Sequence, residues 1–177
     1  TQFDVVVLSN GGDFDVTTGN SRFGECQWIW DKLTNVNGTC LEFTCVKDSP
    51  EDFWVNHLEN NFDIKGYDAI LSLPKHDSHF EHRMVNHISK AMLRGISTGL
   101  ITYRTPSTLE GWIPNYYVEI DDLLLDSKIR DLRDGFSSQK DKLYFQEQSI
   151  KSFHTNYQCS KVGVGYVEQF RIERLYG

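Results

Sequence analysis

The sequence predicts an α/β fold, a Rossmann-like three-layer domain with a mainly parallel sheet. Three features between Gly66 and Arg104 carry that prediction. Gly66-Tyr67-Asp68 leads into the apolar run Ala69-Ile70-Leu71-Ser72-Leu73, which Pro74 stops. After a polar loop, Met84, Val85, Ile88, Ala91, Met92 and Leu93 recur at helical spacing. Beyond Gly95 a second apolar run, Gly99-Leu100-Ile101-Thr102-Tyr103, ends at Arg104. Strand, amphipathic helix and strand within roughly 40 residues form a β-α-β crossover, which joins parallel strands. Such a sheet is covered on both faces and binds ligands beyond the carboxyl ends of its strands. The polar loops after Leu73 and Tyr103 are therefore the first places to look for chemistry.

The other elements follow in chain order. Phe3 to Leu8 is a compact, β-branched run of the kind that fills a central parallel strand. It empties into Ser9-Asn10-Gly11-Gly12-Asp13 and a polar stretch through Ser21, which is long for a strand-to-helix connection. Phe23, Cys26, Ile29, Trp30 and Leu33 then mark the buried face of a helix. Asn37-Gly38-Thr39 reads as an Asn-Gly turn, and Cys40 to Val46 as the second strand. Ser49-Pro50-Glu51-Asp52 starts a short helix over Phe53 to Phe62, with proline in the first turn and acids at the positive end. Past Thr105-Pro106-Ser107, a strand is predicted at Tyr116 to Ile120. Asp121 and Asp122 cap a helix with Leu123, Leu124, Ile129 and Leu132 on one face, closed by Gly135. Lys142 to Gln146 and Val162 to Val167 are the last predicted strands, and Glu168 to Gly177 reads as a helix start. Residues 1–160 thus form one Rossmann-like α/β domain, while 161–177 supply a strand and helix start that would open a second domain in a longer parent.

Composition bounds the function. At 177 residues the chain is long enough for one well-buried domain and short for two. An apolar fraction of 39% with 13% aromatics excludes a disordered chain. Asp and Glu outnumber Lys and Arg by 25 to 18, and the net charge of −7 argues against broad non-specific nucleic-acid binding. Cys26, Cys40, Cys45 and Cys159 show no Cys-x-x-Cys pair and read as reduced thiols rather than a disulfide framework. The first apolar run is too short for a signal peptide and none is long enough to span a bilayer. The expected location is cytoplasmic, with no membrane partner.

Two clusters and one loop carry candidate chemistry. Asn10, Gly11 and Gly12 can bring backbone N–H groups to a phosphate or sugar at the following helix. An ordinary turn is the equal alternative, since neither the dinucleotide fingerprint nor the P-loop is present. The densest polar cluster is His76, Asp77, Ser78, His79, Glu81 and His82. Its histidines recur every three residues and drift around a helix, so no metal site is assigned. The cluster reads either as a helix start capped by Asp77 or Ser78, or as a catalytic loop with Asp77 or Glu81 as general base. Arg171 and Arg174 follow a glycine-containing strand and could grip a diphosphate through their planar forks, or pair with Glu168 and Glu173 at the surface.

These residues resemble the amino-terminal domain of a GT-B glycosyltransferase, most closely the DNA β-glucosyltransferases of tailed phages. The similarity lies in Asn10-Gly11 after the first strand, Tyr67-Asp68, Thr102 with Arg104 and Pro106, Asp121-Asp122-Leu123-Leu124, and the terminal Val-Gly-Val-Gly-Tyr with Phe170-Arg171 and Arg174. The resemblance implies sugar transfer from a nucleotide-sugar donor such as UDP-glucose, with a modified DNA base as candidate acceptor and a second domain or subunit completing the site. Arg104, Arg171 and Arg174 would then bind the donor, and no other cofactor is implied. The family's general-base aspartate falls near Tyr103 here, so Asp77 or Asp13 would take its place. A second resemblance, through Leu73-Pro74, Ser78 and Glu81-His82, is to nucleoside deoxyribosyltransferase-like proteins, which implies N-glycosidic bond chemistry on nucleotides with Glu81 as nucleophile. A non-catalytic nucleotide- or protein-binding domain is the third reading.

Overall fold

The computed structural model describes residues 1–10, 22–155 and 165–175. The chain divides into two compact units, residues 1–46 with 120–166 and residues 47–119 with 167–177. No helix among the described residues is long and apolar enough to cross a membrane.

In the first unit, β1 (Phe3–Ser9) pairs in parallel with β2 (Val36–Phe43), and α1 (Arg22–Trp30) lies between them in sequence. The strand expected over Cys40 to Val46 begins earlier, and the Asn-Gly turn is part of it. The reason is steric: a side chain at Gly38 would collide with the Trp30 ring, so glycine lets the helix approach the strand. Helix α1 also buries Glu25 and Trp30 while leaving Phe23 exposed, unlike its predicted face. Asp121 caps α4 (Asp122–Gly135) as predicted, its carboxylate accepting from the Leu124 N–H at 2.7 Å. The helix turns Leu125 and Ile129 into a core with Ile120 and Ile150, and leaves Leu123 and Leu124 exposed. Ile150 comes from α5 (Glu147–His154). Where a strand was expected at Lys142 to Gln146, the chain makes a 3-10 turn, Leu143–Phe145.

The second unit holds the predicted crossover. β3 (Ala69–Ser72) and β4 (Gly99–Tyr103) pair in parallel, from Ala69 with Gly99 to Ser72 with Thr102. Between them α3 (Phe80–Met92) buries Met84, Ile88 and Met92, the expected apolar face, beside α2 (Glu51–Asn61), which contributes Trp54, Val55 and Leu58. Gly95, with φ of 73°, supplies the left-handed residue that turns the chain towards β4.

The sheet departs from expectation at its far side. β6 (Tyr166–Arg174) is a nine-residue strand where a helix start was expected, and it pairs antiparallel to β4, Tyr103 facing Phe170. With β5 (Tyr116–Ile120) the order is β3-β4-β6-β5. The protein is α/β with mixed sheets: a two-stranded parallel sheet and a four-stranded sheet that contains an antiparallel pair, not the mainly parallel sheet that one crossover suggested. Apolar runs in a crossover cannot report the direction of a strand that arrives from the other end of the chain.

Candidate active site

The loops after β3 and β4 join. The Ser78 N–H donates to the Ser107 carbonyl and the Leu109 N–H to the His76 carbonyl, both at 2.9 Å, and Asp77 and Thr108 form an isolated antiparallel bridge between them. Local sequence prepares this clasp. Buried Pro74 ends β3, and Asn86 on α3 donates to the Leu73 carbonyl at 2.7 Å. The Arg83 guanidinium donates to the carbonyls of Asp77 and Ser78, at 2.7 and 3.0 Å, and so holds the turn that precedes α3.

Asp77 is the buried centre of the clasp. Its Oδ1 accepts from the His79 N–H at 2.8 Å, and its Oδ2 from the Thr105 hydroxyl at 2.7 Å. The same Oδ2 lies 3.1 Å from His82 Nδ1, on an imidazole that is 30% exposed while the carboxylate is wholly covered. Because Thr105 spends its proton on Asp77, the Thr108 hydroxyl, 3.0 Å away, must donate to its oxygen rather than accept from it. Burial raises the Asp77 pKa, but hydrogen bonds from Thr105, Ser107, His79 and His82 outweigh it and hold the carboxyl below its ordinary value. Burial likewise pushes the Tyr103 phenol up, and the Asp77 charge adds to that.

The carboxylate fixes the histidine. With Nδ1–H given to Asp77, the lone pair the ring can present is that of Nε2. The His79 ring packs against His82, tilted by 33° with 4.6 Å between centroids. An imidazole held by a carboxylate suits proton transfer, and it is also the way that metal-bound imidazoles are held. Among the described residues no three His, Cys, Asp or Glu side chains gather to hold a metal ion.

The other candidates lie apart from this centre. Glu81 accepts from the Lys47 N–H at 3.1 Å. Arg171 donates to the Ile113 carbonyl at 2.7 Å. Arg174 donates to the carbonyls of Leu93, Ile96 and Thr98 in the connection between α3 and β4. The Arg104 N–H donates to the Gln169 carbonyl, and the Asn10 N–H to that of Phe43. Gly11, Gly12 and Asp13 lie outside the described residues. Sequence reasoning named Asp77 but missed Thr105 and Ser107 as its donors and His82 as the group it orients. The clue was that both strand-end loops are rich in hydroxyls and histidines.

No family profile and no curated protein matches the sequence. Solved structures do. A 4-carboxy-2-hydroxymuconate hydratase from Pseudomonas putida superposes with a TM-score of 0.74 at 13% identity, over 99% of this chain and 85% of that one. A conserved protein from Thermus thermophilus gives 0.68 at 16% identity, over 99% and 84%. The N,N'-diacetylchitobiose deacetylase from Pyrococcus horikoshii gives 0.65 at 19%, over 97% and 72%. The chain has the fold these proteins share. This overturns the resemblance to GT-B glycosyltransferases and the sugar-transfer and DNA-modification reading built on it, and neither alternative is better supported. Of the described residues that carried the resemblance, Thr102 lies in β4, Asp121 caps α4, and Phe170, Arg171 and Arg174 lie in β6, positions that many α/β folds use.

Proposed function

We propose that the protein is a hydrolase that activates water to cleave an N-acyl bond, with His82 as general base and acid and Asp77 as the residue that orients it. The observation that carries this reading is the buried carboxylate bonded to a partly exposed imidazole in the clasp beyond β3 and β4. Asp77 is a poor base itself, since its oxygens are occupied by donors and its pKa is depressed. His82 Nε2 would take a proton from water as oxygen attacks the acyl carbon. The imidazolium, stabilised by Asp77, would return that proton to the departing amine, so that water is added across the C–N bond. Likeness in fold to a chitobiose deacetylase supports an N-acetylated sugar as the first substrate to try. Likeness to a hydratase supports the same water activation aimed at a C=C bond.

The test is acetate release from N,N'-diacetylchitobiose and a panel of N-acyl amino sugars, with His82→Gln as control. Release that the substitution abolishes supports the reading. No release from any member, or release indifferent to His82, overturns it.

A further inference from the structure

Helix α1 lies close against β2 because Gly38 has no side chain to hold the Trp30 ring away. That contact sets what meets one step further along both elements. Cys26 stands one helical turn before Trp30 on the same side of α1, and Cys40 follows Gly38 on the same face of β2. The helix joins two parallel strands and so runs back against them, which matches a step towards the start of α1 with a step towards the end of β2. Four residues of helix and two of strand each advance about 6–7 Å. The packing that lays Trp30 over Gly38 therefore brings Cys26 over Cys40. The two thiols do meet, the Cys26 S–H donating to the Cys40 sulfur, and both side chains are partly exposed. Spacing in the sequence hides this pair, because its members come from a helix and a strand with 13 residues between them.

We propose that Cys26 and Cys40 are a disulfide site, closed by exchange with a low-molecular-weight disulfide such as oxidised glutathione, and that the bond locks α1 onto β2. The Cys40 thiolate, which the Cys26 S–H bond favours, attacks one sulfur of oxidised glutathione and releases one glutathione as its thiolate. Cys26 then gives up its proton to solvent and attacks the Cys40 sulfur of the mixed disulfide, and the second glutathione leaves. One disulfide is reduced as one is formed, so the electrons balance with no further oxidant. Burial and the neighbouring Cys40 push the Cys26 thiol up to about 11, and burial raises Cys40 as well, so thiolate is scarce at neutral pH and closure is slow. Once closed, the bond ties a helix to a strand across a loop that the unfolded chain would otherwise explore, and that constraint stabilises the fold. The site is separate from the Asp77 clasp and does not rest on the hydrolase reading.

The test is to incubate the folded chain with oxidised glutathione, alkylate the remaining thiols and map the peptides without reductant. The expected product is an intramolecular link between Cys26 and Cys40, two hydrogens lighter, that dithiothreitol reverses and that raises the melting temperature by about 5 °C or more. Closure should quicken about tenfold for each pH unit from about pH 7 to pH 8.5, because the thiolate is the attacking form. Cys26→Ser should abolish the link and Cys45→Ser should leave it. Full alkylation of both thiols in oxidant-treated wild-type chain overturns the proposal, whatever the variants do. So does a link through Cys45, Cys159 or a second chain in its place, a Cys26–Cys40 bond that fails to raise the melting temperature, or a closure rate that ignores pH.

Discussion

Asp77 and Arg174 both gather hydrogen bonds at the ends of the crossover, and they differ in what is left over. Arg174 reaches back from β6 to the carbonyls of Leu93, which follows α3, and of Ile96 and Thr98 in the connection to β4. Its donors are spent on backbone. Asp77 also satisfies its oxygens, but one partner is an imidazole that is 30% exposed and holds the carboxylate through Nδ1, which leaves the Nε2 lone pair to be used. A polar cluster that closes on itself stabilises a fold, whereas one that ends in an unspent lone pair can do chemistry.

The sharpest way to break this comparison is to remove each terminal group. His82→Gln should cost about 10²–10⁴ in kcat, the usual worth of a positioned acid or base, and leave the melting temperature nearly unchanged. Arg174→Met should do the reverse. It strands backbone carbonyls behind a half-buried side chain and should cost about 2–4 kcal/mol of unfolding free energy, read by urea denaturation, with kcat per folded molecule preserved. If Arg174→Met instead abolished turnover in fully folded protein, the division between the two clusters would fail.

The crossover was legible because its evidence is local. The runs at 69–73 and 99–103 and the spacing of Met84, Ile88 and Met92 each report one element, and the structure pairs the two runs as β3 and β4 and buries the three helix residues with Leu100, though Leu71 on the edge strand stays 46% exposed. β6 was harder to read. Phe170 and Ile172 alternate with Arg171 and Glu173 as a strand requires, but the buried positions on the other face include Gln169, so polarity disguised the period. Gly38 was taken for a turn because the Trp30 ring that demands it comes from another element. The Asp77 centre was legible in part. The acid stands out in its loop, yet its donor Thr105 lies 28 residues away, and no local pattern says which hydroxyl of the second loop will face it.

A smaller effect sharpens the same contrast along the chain. Gly95 carries the turn that presents the Ile96 and Thr98 carbonyls to Arg174, and its φ of 73° is one that alanine adopts with strain. Open space surrounds the position, so Gly95→Ala meets no clash and the cost is conformational, about 1 kcal/mol in urea denaturation. The loss should leave kcat untouched.

Smallest at neutral pH is the loss of one donor to Asp77, and its value lies in pH dependence. The folded Asp77 pKa is below its unfolded value, so its contribution to stability is fully present above that unfolded value, about 3.9, and is lost as pH falls through the folded one. Thr105→Val removes the hydroxyl bonded to Oδ2 and should raise the folded pKa, narrowing that window. At pH 7 the variant should lose about 1 kcal/mol, because His79 and His82 still serve the carboxylate. As pH falls below the unfolded value the gap between variant and wild type should close, since protonation takes from the wild type a charge-dependent stabilisation that the variant already lacks in part. Arg174 stays charged throughout, so Arg174→Met should keep its full deficit over that range. Parallel curves for Thr105→Val and wild type down to the acid limit would mean that the Thr105 hydroxyl does not stabilise the Asp77 charge, and the clasp would then be a packing contact rather than the electrostatic support of His82.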